Sequence, residues 1–336
     1  MKFHARDPAM PLPDTMKTIE IREHGGPEML EAGERQLPTP AAGEVLVKVI
    51  AAGVNGPDIV QRRGHYPPPK GASDLLGLEV SGEVVALGDG VERWKVGDKI
   101  CALTNGGGYA EYVTIAADQC LPIPQGVDPV DAAGLCETLF TVWSNFFTNH
   151  AADKGLLFLV HGGAGGIGST AIQLGAAVGM RIFTTCSAAD KAFCESLGAT
   201  RAIDYLEEDF VEIVKADGGA NLILDIRGGG YVARNIAASA PDGRIVQLAF
   251  NAGSKVEVNL MPVMLKRLTI TGSTLRPRPP EFKAKMASEL ERFVWPWFAK
   301  DMMKTNTFAT VPMRQAQRAH EMMEAGEHRG KIILTM

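Results

Sequence analysis

The chain has 336 residues, of which 46% are hydrophobic and 22% are charged, and its formal net charge is −5. This length predicts about two domains, and the composition is typical of a soluble globular protein. The negative charge argues against nucleic acid as the main partner, because phosphate binding needs a basic face.

The N-terminal segment and the cysteines indicate where the fold begins and which compartment it suits. Residues 1–15 mix charge, proline and polar side chains without an apolar run of signal-peptide length, so we expect a flexible extension before a fold that starts near Met16. No window approaches about 18 consecutive apolar residues, which predicts that no segment spans a membrane. The five cysteines are odd in number and lack a Cys-x-x-Cys pair, which favours reduced thiols in a cytoplasmic protein.

Short strand-like segments fill the chain from Lys17 to about Gln119. β-branched or alternating runs, separated by glycine and proline, predict strands at 45–50, 80–85, 99–103 and 110–115. This arrangement favours an all-β unit of the barrel or sandwich type.

The pattern changes near Asp128, where a helical stretch opens and a second helix is predicted over 138–149. Strand and helix patterns then alternate. Strands are predicted at 156–160, 181–185, 201–204, 221–225, 244–247 and 269–272, and helices at 169–178, 191–197 and 231–239. The first and fourth of these strands are apolar throughout, as parallel strands buried on both faces must be. Six such strands predict a Rossmann-type doubly wound sheet.

The β–α alternation ends after Pro277. Helices are predicted over 281–303 and 313–327, and a strand over 331–334. This tail has no core of its own, so we expect it to return to the N-terminal β unit. The predicted fold is therefore α/β, with a Rossmann domain (139–277) inserted into a β-barrel-type domain (16–138 and 278–336).

A glycine-rich turn follows the first of these strands and is the strongest local signal for function. The sequence Gly163-x-Gly165-x-x-Gly168 lies between an apolar strand and a helix, and includes Gly166 and Ile167. Such glycines let the backbone approach a pyrophosphate whose charge sits at the helix N-terminus. The turn predicts dinucleotide binding, with a purely structural glycine turn as the alternative.

The end of the second Rossmann strand predicts NADPH rather than NADH. An NAD site would place an acidic residue there, whereas Thr185, Cys186 and Ser187 are neutral. Ser187, Lys191 and Tyr205 can supply hydroxyls and a positive charge to a 2′-phosphate, although Asp190 lies nearby. The alternative is that Ser187 caps the next helix and Lys191 is a solvated charge.

Motifs along nearly the whole chain from residue 16 carry a family resemblance. They include Gly53-Val54-Asn55-Gly56-Pro57-Asp58, Gly77-Leu78-Glu79-Val80-Ser81-Gly82, Val96-Gly97-Asp98, Gly107-Gly108-Tyr109-Ala110-Glu111-Tyr112, Glu137-Thr138 with Thr141-Val142-Trp143, the glycine turn, Ile203-Asp204-Tyr205 and Gly330-Lys331-Ile332. The chain resembles the quinone oxidoreductase (zeta-crystallin-like) branch of the medium-chain dehydrogenase/reductase superfamily. Its run Thr271-Gly272-Ser273-Thr274-Leu275-Arg276 is similar to the sub-branch named for a tumour-suppressor-inducible quinone oxidoreductase.

The chain departs from the zinc alcohol dehydrogenases of this superfamily at the metal ligands. Those enzymes hold catalytic zinc with a cysteine and a histidine at the positions of Asn55 and Leu78. Leucine cannot ligate a metal and an amide is a poor zinc ligand. The closely spaced cysteines of the structural zinc lobe are missing as well. We therefore expect no bound metal.

The resemblance implies a GroES-like catalytic domain and a set of site residues. Asn55 and Tyr66 are expected to be the catalytic residues beside the nicotinamide and substrate, with Asn55 orienting the acceptor oxygen and Tyr66 donating a hydrogen bond to it or lining the pocket. Thr141 is expected on the cofactor, and Lys331 of the terminal motif at the cofactor site. The alternatives are a turn role for Asn55, loop packing for Tyr66 and a helix back-bond for Thr141. His161 is expected to be structural, and no histidine or carboxylate stands out as an acid.

The predicted activity is hydride transfer from NADPH to a quinone or activated enone without metal. An NADPH-dependent alkenal or enone reductase is a near alternative, and an NADPH-binding structural or RNA-associated protein is an alternative of another class. We also expect a homodimer through the Rossmann edge strands, because an unpaired apolar edge strand at 269–272 would be prone to aggregation with other chains.

Overall fold

The computed structural model describes residues 12–148 and 152–336. Most of the predicted extension at 1–15, and the predicted helix end at residue 149, lie outside these residues. Leu12 and Pro13 are exposed, and the first strand begins at Thr15. No helix within the described ranges combines the length and the hydropathy needed to cross a membrane.

The N-terminal part is rich in strands, as predicted. Its elements are β1 (Thr15–Ile21), β2 (Leu30–Gln36), β3 (Glu44–Val54), α1 (Gly56–Arg62), β4 (Glu79–Leu87), β5 (Lys99–Leu103), β6 (Tyr112–Ala116) and β7 (Cys120–Pro122). β1 and β2 form an antiparallel pair, and β3 pairs antiparallel with both β4 and β6. The predicted strand at 110–115 begins two residues late, because Ala110 makes only an isolated bridge to Thr18.

The central part alternates strands and helices. After α2 (Pro129–Ala132) and α3 (Cys136–Phe146) come β8 (Leu157–His161), α4 (Gly166–Ala177), β9 (Arg181–Cys186), α5 (Lys191–Ser196), β10 (Arg201–Asp204), α6 (Phe210–Ala216), β11 (Ala220–Asp225), α7 (Tyr231–Ala238), β12 (Ser239–Gln247), α8 (Met261–Leu265) and β13 (Thr269–Gly272). The six strands form one parallel sheet in the order β10-β9-β8-β11-β12-β13. Every residue of β8 is buried, because helices cover both faces of the sheet. The predicted Rossmann sheet is confirmed.

The C-terminal part returns to the N-terminal strands, as predicted. It contains α9 (Pro280–Phe293), α10 (Trp295–Phe298), β14 (Thr307–Pro312), α11 (Ala316–Ala325) and β15 (Lys331–Thr335). β15 pairs antiparallel with β3 and parallel with β14. The helix predicted over 281–303 is interrupted at Val294, because Pro296 cannot donate to the helix ladder. The predicted domain limits at 139 and 277 stay a prediction.

The two parts meet where β15 begins. The backbone of Gly330 forms a bridge with Gly165 in the glycine turn, and its N–H donates to the Ala164 carbonyl over 2.7 Å. The start of β15 therefore joins the carboxyl end of β8 to β3, which places the glycine turn next to the residues that follow β3.

Candidate active site

The glycine turn forms a cradle at the start of α4. A Cβ on Gly163 would collide with the Thr184 hydroxyl, and one on Gly168 would collide with the Gly162 carbonyl, so both positions require glycine. A Cβ on Gly165 would meet only one atom, 3.7 Å away, so this side of the turn is open. Within the described residues, no acceptor binds the backbone N–H groups of Gly166, Ile167 and Gly168. Open space and free N–H groups at a helix N-terminus fit a dinucleotide pyrophosphate.

The residues predicted to hold a 2′-phosphate lie together at the ends of β9 and β10. Tyr205 is 47% exposed and its N–H donates to the Cys186 carbonyl over 3.2 Å, which places it beside Ser187. The Ser187 hydroxyl donates to Asp190 over 2.6 Å, and the Lys191 ammonium donates to Glu208 over 2.9 Å.

Arg329, which was not predicted as a site residue, reaches this group from the loop before β15. Its Nε donates to Asp190 over 2.6 Å and its Nη2 donates to the Ala189 carbonyl over 2.9 Å. This ion pair offsets the negative charge of Asp190 beside the predicted phosphate site. Arg329 follows Asp190 by 139 residues, so no local pattern could have linked them.

Asn55 caps the start of α1 and lies in a buried polar cluster. Its Oδ1 accepts a hydrogen bond from the Lys331 ammonium over 2.6 Å, and its Nδ2 donates to Glu79 over 3.0 Å and to the Gly53 carbonyl over 3.3 Å. Lys331 also forms a 2.6 Å ion pair with Glu79, whose side chain is fully buried. The Asn55 amide is thus engaged at both ends, and Lys331 lies between the glycine turn and Asn55.

Asp58 completes the cluster from the third position of α1. Its two carboxylate oxygens accept the backbone N–H groups of Asn55 (2.9 Å) and Gly77 (3.0 Å). Burial raises the pKa of Asp58 to about 6, although these hydrogen bonds and the nearby Lys331 charge act against that rise. Asp58 therefore ties the start of α1 to the turn before β4.

Tyr66 lies half-buried in the loop after α1, next to a buried arginine. The Arg276 guanidinium is 5.5 Å from the centre of the Tyr66 ring. Arg276 donates to Gln61 and to the Asn105 carbonyl, and Lys283 donates to the carbonyl of Arg276 over 2.8 Å. Among the described residues the Tyr66 hydroxyl has no hydrogen-bond partner, and burial raises its pKa.

One face of α3 is less buried than the rest of the helix. Glu137 and Thr141 are partly exposed and stand one helical turn apart, while Thr138, Leu139 and Phe140 between them are buried. The Thr141 hydroxyl makes no hydrogen bond within the described part of the chain, so the alternative of a back-bond is not observed. Glu137 was not singled out from the sequence, and its pKa is raised to about 8, chiefly by burial.

His161 is a structural residue in this arrangement. Its side chain is fully buried, with Nδ1 at 3.0 Å from the Thr185 hydroxyl and Nε2 at 2.7 Å from the Asn235 amide oxygen. Burial lowers its pKa to about 4, so the ring is neutral near pH 7. All five cysteines are buried free thiols.

The positions that hold zinc in alcohol dehydrogenases carry no metal ligands here. Asn55 is committed to Glu79 and Lys331, and Leu78 is a buried apolar residue. Across residues 12–148 and 152–336, no group of three or more histidine, cysteine, aspartate or glutamate side chains is arranged to hold a metal ion.

Comparisons with known proteins agree with this architecture. The family described as "Alcohol dehydrogenase GroES-like domain" matches residues 41–125, and the family described as "Zinc-binding dehydrogenase" matches residues 166–292. Quinone oxidoreductase 1 of Escherichia coli is 31% identical over 326 residues, which cover 94% of this chain and 98% of that protein. Quinone oxidoreductase of Rattus norvegicus is 28% identical over 96% of this chain and 98% of its own length.

Solved structures show the same fold. A mycobacterial protein in complex with NADPH superimposes with a TM-score of 0.85 at 27% identity, covering 96% of this chain and all of that one. Escherichia coli quinone oxidoreductase in complex with NADPH gives a TM-score of 0.83 at 27% identity, over 95% of this chain and all of that one. The chain belongs to the medium-chain dehydrogenase/reductase superfamily, on the branch of the quinone oxidoreductases.

Proposed function

We propose that this protein uses NADPH to reduce quinones or activated enones in the cleft between the Rossmann sheet and the N-terminal strands, without a metal. The observation that carries the proposal is the junction at the start of β15. There the open glycine cradle lies next to the polar cluster of Asn55, Glu79 and Lys331. Asn55 and the buried Leu78 stand at the positions that carry metal ligands in the zinc alcohol dehydrogenases. A cofactor held on the cradle would face the half-buried Tyr66 and Glu137.

The glycine cradle and the residues at the ends of β9 and β10 fit the pyrophosphate and the 2′-phosphate of NADPH. The free N–H groups at the start of α4 would bind the pyrophosphate. Ser187, Lys191, Tyr205 and Arg329 would hold the 2′-phosphate, to which a guanidinium can donate two parallel hydrogen bonds. Two relatives of the same fold have structures in complex with NADPH, which supports this choice of cofactor. When bound, NADPH supplies a hydride.

The acceptor site that we propose is formed by Tyr66, Arg276 and the Asn55 cluster. The Tyr66 hydroxyl is free to donate a hydrogen bond to an acceptor oxygen, and such a donor stabilises the negative charge that develops there. Arg276 adds positive charge beside that hydroxyl. Asn55 has no free donor, so we give it a positioning role, in which it holds α1 and Lys331 at the edge of the cradle.

Quinones and enones suit this site because they are electrophilic before they bind. An unactivated ketone needs a group that strongly polarises its carbonyl, and one phenol is a weak substitute for a metal ion. Positioning and hydrogen bonding suffice for an activated acceptor.

Reduction of a C=C bond is the second candidate. It is favoured by the likeness to the CurK enoyl reductase, with a TM-score of 0.83 at 25% identity. Both candidates share the cofactor and the cleft, and they differ in whether hydride ends on the quinone or on a carbon of an enoyl group.

A homodimer and a cytoplasmic location belong to the same proposal. β13 is the edge strand of the six-stranded sheet, and apolar side chains on it and on α8 are between 44% and 69% exposed, namely Met261, Met264, Leu265 and Ile270. A second copy paired along β13 would cover them.

The test is consumption of NADPH by the purified protein with a quinone, an enone, an alkenal and a simple ketone, with NADH in parallel. The proposal expects turnover with at least one activated acceptor and preference for NADPH. Product analysis separates the candidates, since a hydroquinone marks the first and a saturated carbonyl compound marks the second. No turnover on any activated acceptor would refute both.

A further inference from the structure

Among the described residues, no protein group engages the side-chain carboxyl of Glu137, which lies beside the buried polar cluster. Its backbone N–H donates to Glu79 over 2.8 Å, but neither side-chain oxygen has a hydrogen-bond partner among the described residues. The residue is partly exposed, whereas Leu135, Cys136 and Thr138 around it are buried. The Glu137 side chain is therefore partly open to solvent, and no described protein group binds its carboxyl oxygens.

The other two buried acids of the cluster are fully committed. Asp58 binds two backbone N–H groups, one with each oxygen. Glu79 accepts from Lys331 and Asn55 with one oxygen and from the Glu137 N–H with the other. Neither can approach an acceptor without breaking the cluster.

Three observations place Glu137 near the cofactor cradle and near Tyr66. Thr138 accepts a hydrogen bond from Thr170 of α4 over 2.9 Å, so the start of α3 packs against the helix that begins at the cradle. Thr141, one turn further along the same face, is the predicted cofactor contact. On the opposite side, Glu137 is near enough to Tyr66 for its charge to raise the pKa of the tyrosine.

The surrounding charges favour the protonated form of Glu137. Burial has the largest effect on its pKa, and the Glu79 and Asp58 charges raise it further to about 8, while Lys331 and Lys283 lower it. Lys331 is already paired with Glu79, so its charge only partly compensates. The remaining titratable or charged groups that face the cleft are Tyr66 and Arg276. At pH 7 the carboxyl group holds a proton and is still acidic enough to release it.

The competing proton donors are less suitable. Lys283 has a pKa lowered to about 8 by burial, but it is 1% exposed and donates to Asn105 and to the Arg276 carbonyl. Burial raises the pKa of Tyr66, which makes its hydroxyl a hydrogen-bond donor that holds its proton.

We propose that Glu137 is the catalytic acid that protonates the reduced acceptor, an assignment that rests on the proposed function. Hydride brings two electrons to the acceptor, a π bond breaks, and negative charge collects on the acceptor oxygen. The O–H bond of the Glu137 carboxyl then breaks as the proton moves to that oxygen, or to the neighbouring carbon of an enolate. The carboxylate that remains regains its proton from solvent, so that one hydride and one proton are consumed in each turnover.

The assignment fixes the direction of the pH dependence. The protonated form is the donor, so kcat should be constant below the pKa of Glu137 and should fall as pH rises through about 8. Glu137→Gln keeps the shape and the neutral charge but has no acidic proton. It should lower kcat by roughly 100-fold and remove the inflection near pH 8, since general acids contribute at least that much.

The experiment measures kcat against pH, from about pH 6 to pH 10, for the full-length wild type, Glu137→Gln, Glu137→Asp and the surface control Glu212→Gln, with a quinone or enone that the wild type reduces. Two readouts do not depend on turnover. Fluorescence titration reports NADPH binding, which should stay within about twofold in Glu137→Gln, a shift of about 0.4 kcal/mol. Infrared difference spectra should show a protonated carboxyl band that titrates near pH 8 in the wild type and is missing from Glu137→Gln.

The outcomes separate this assignment from the function on which it rests. A slow Glu137→Gln variant with a flat profile and intact NADPH binding, together with partial activity in Glu137→Asp, supports the acid role. Full activity and an unchanged profile in Glu137→Gln overturn the assignment and leave the proposed function standing. A wild type that titrates near pH 8 in the infrared but reduces no acceptor refutes the proposed function, and the assignment with it.

Discussion

Replacing Lys331 with methionine should destabilise the whole protein, because its ammonium is the only cation paired with Glu79 among the described residues. Lys331 is 7% exposed and donates to Glu79, to Asn55 and to the Val54 carbonyl. Methionine has a similar length and no charge. The variant therefore keeps the packing and leaves a fully buried carboxylate without its partner.

The size of the effect follows from that uncompensated charge. Breaking a buried ion pair by removing one partner costs about 3–5 kcal/mol. At about 2.1 cal/mol/K of unfolding entropy per residue, each kcal/mol lowers the Tm of a chain this long by about 1.4 °C. The expected decrease in Tm is therefore about 4–7 °C.

Thermal unfolding followed by circular dichroism measures this decrease in Lys331→Met, in Glu79→Gln, in the double variant and in the exposed control Lys255→Met. The double variant should lose less stability than the sum of the two single variants, by about 0.5–3 kcal/mol, as expected for residues in contact. The control should match the wild type. If Lys331→Met keeps the wild-type Tm, or if the two single effects simply add, the ion pair between Lys331 and Glu79 does not stabilise the fold.

Four further results are expected. Lys191→Ala and Arg329→Ala should each weaken NADPH binding by about 1–3 kcal/mol and leave NADH nearly unchanged; equal losses for both cofactors in a binding titration would remove these residues from the 2′-phosphate site. Tyr66→Phe should lower kcat about 10-fold or more without changing NADPH affinity. Full activity in Tyr66→Phe combined with loss of activity in Tyr66→Ala would show that the Tyr66 ring only packs against the acceptor and that its hydroxyl has no catalytic role. Metal analysis should find no stoichiometric zinc, and chelators should leave activity intact, because Asn55 and Leu78 stand at the ligand positions; about one zinc per chain, lost together with activity, would contradict this. Light scattering at micromolar concentration should give a dimer, and Leu265→Glu on the exposed face of α8 should give a monomer; a monomeric wild type would count against pairing through β13.

The elements of the fold were predictable where the local signal was strong. The continuous apolar run of β8 and the glycines after it allow few structures other than a buried strand and a tight turn. Boundaries were less certain, and α8 was not predicted, because its five residues are largely exposed and carry no periodic apolar face.

The candidate site was predictable only in part, because much of its chemistry depends on distant residues. Glu137 has an ordinary sequence context at the start of a helix, and its raised pKa comes from burial and from charges on α1 and β4. Arg329 and Arg276 reach their partners across more than a hundred residues of chain. Lys331 was predicted as a cofactor residue. Its pairing with Glu79 of β4 could not be predicted, because it depends on β15 lying next to β3, the strand that pairs with β4.

The most direct test of the central claim compares an α,β-unsaturated ketone with the saturated ketone of the same skeleton, with NADPH as the reductant. The site described above has a phenol and a carboxylic acid but no group that strongly polarises a carbonyl. We therefore expect kcat/KM for the activated acceptor to exceed that for the saturated ketone by at least about 1,000-fold, the equivalent of several kcal/mol of missing carbonyl polarisation. Comparable rates for the two ketones would contradict this expectation.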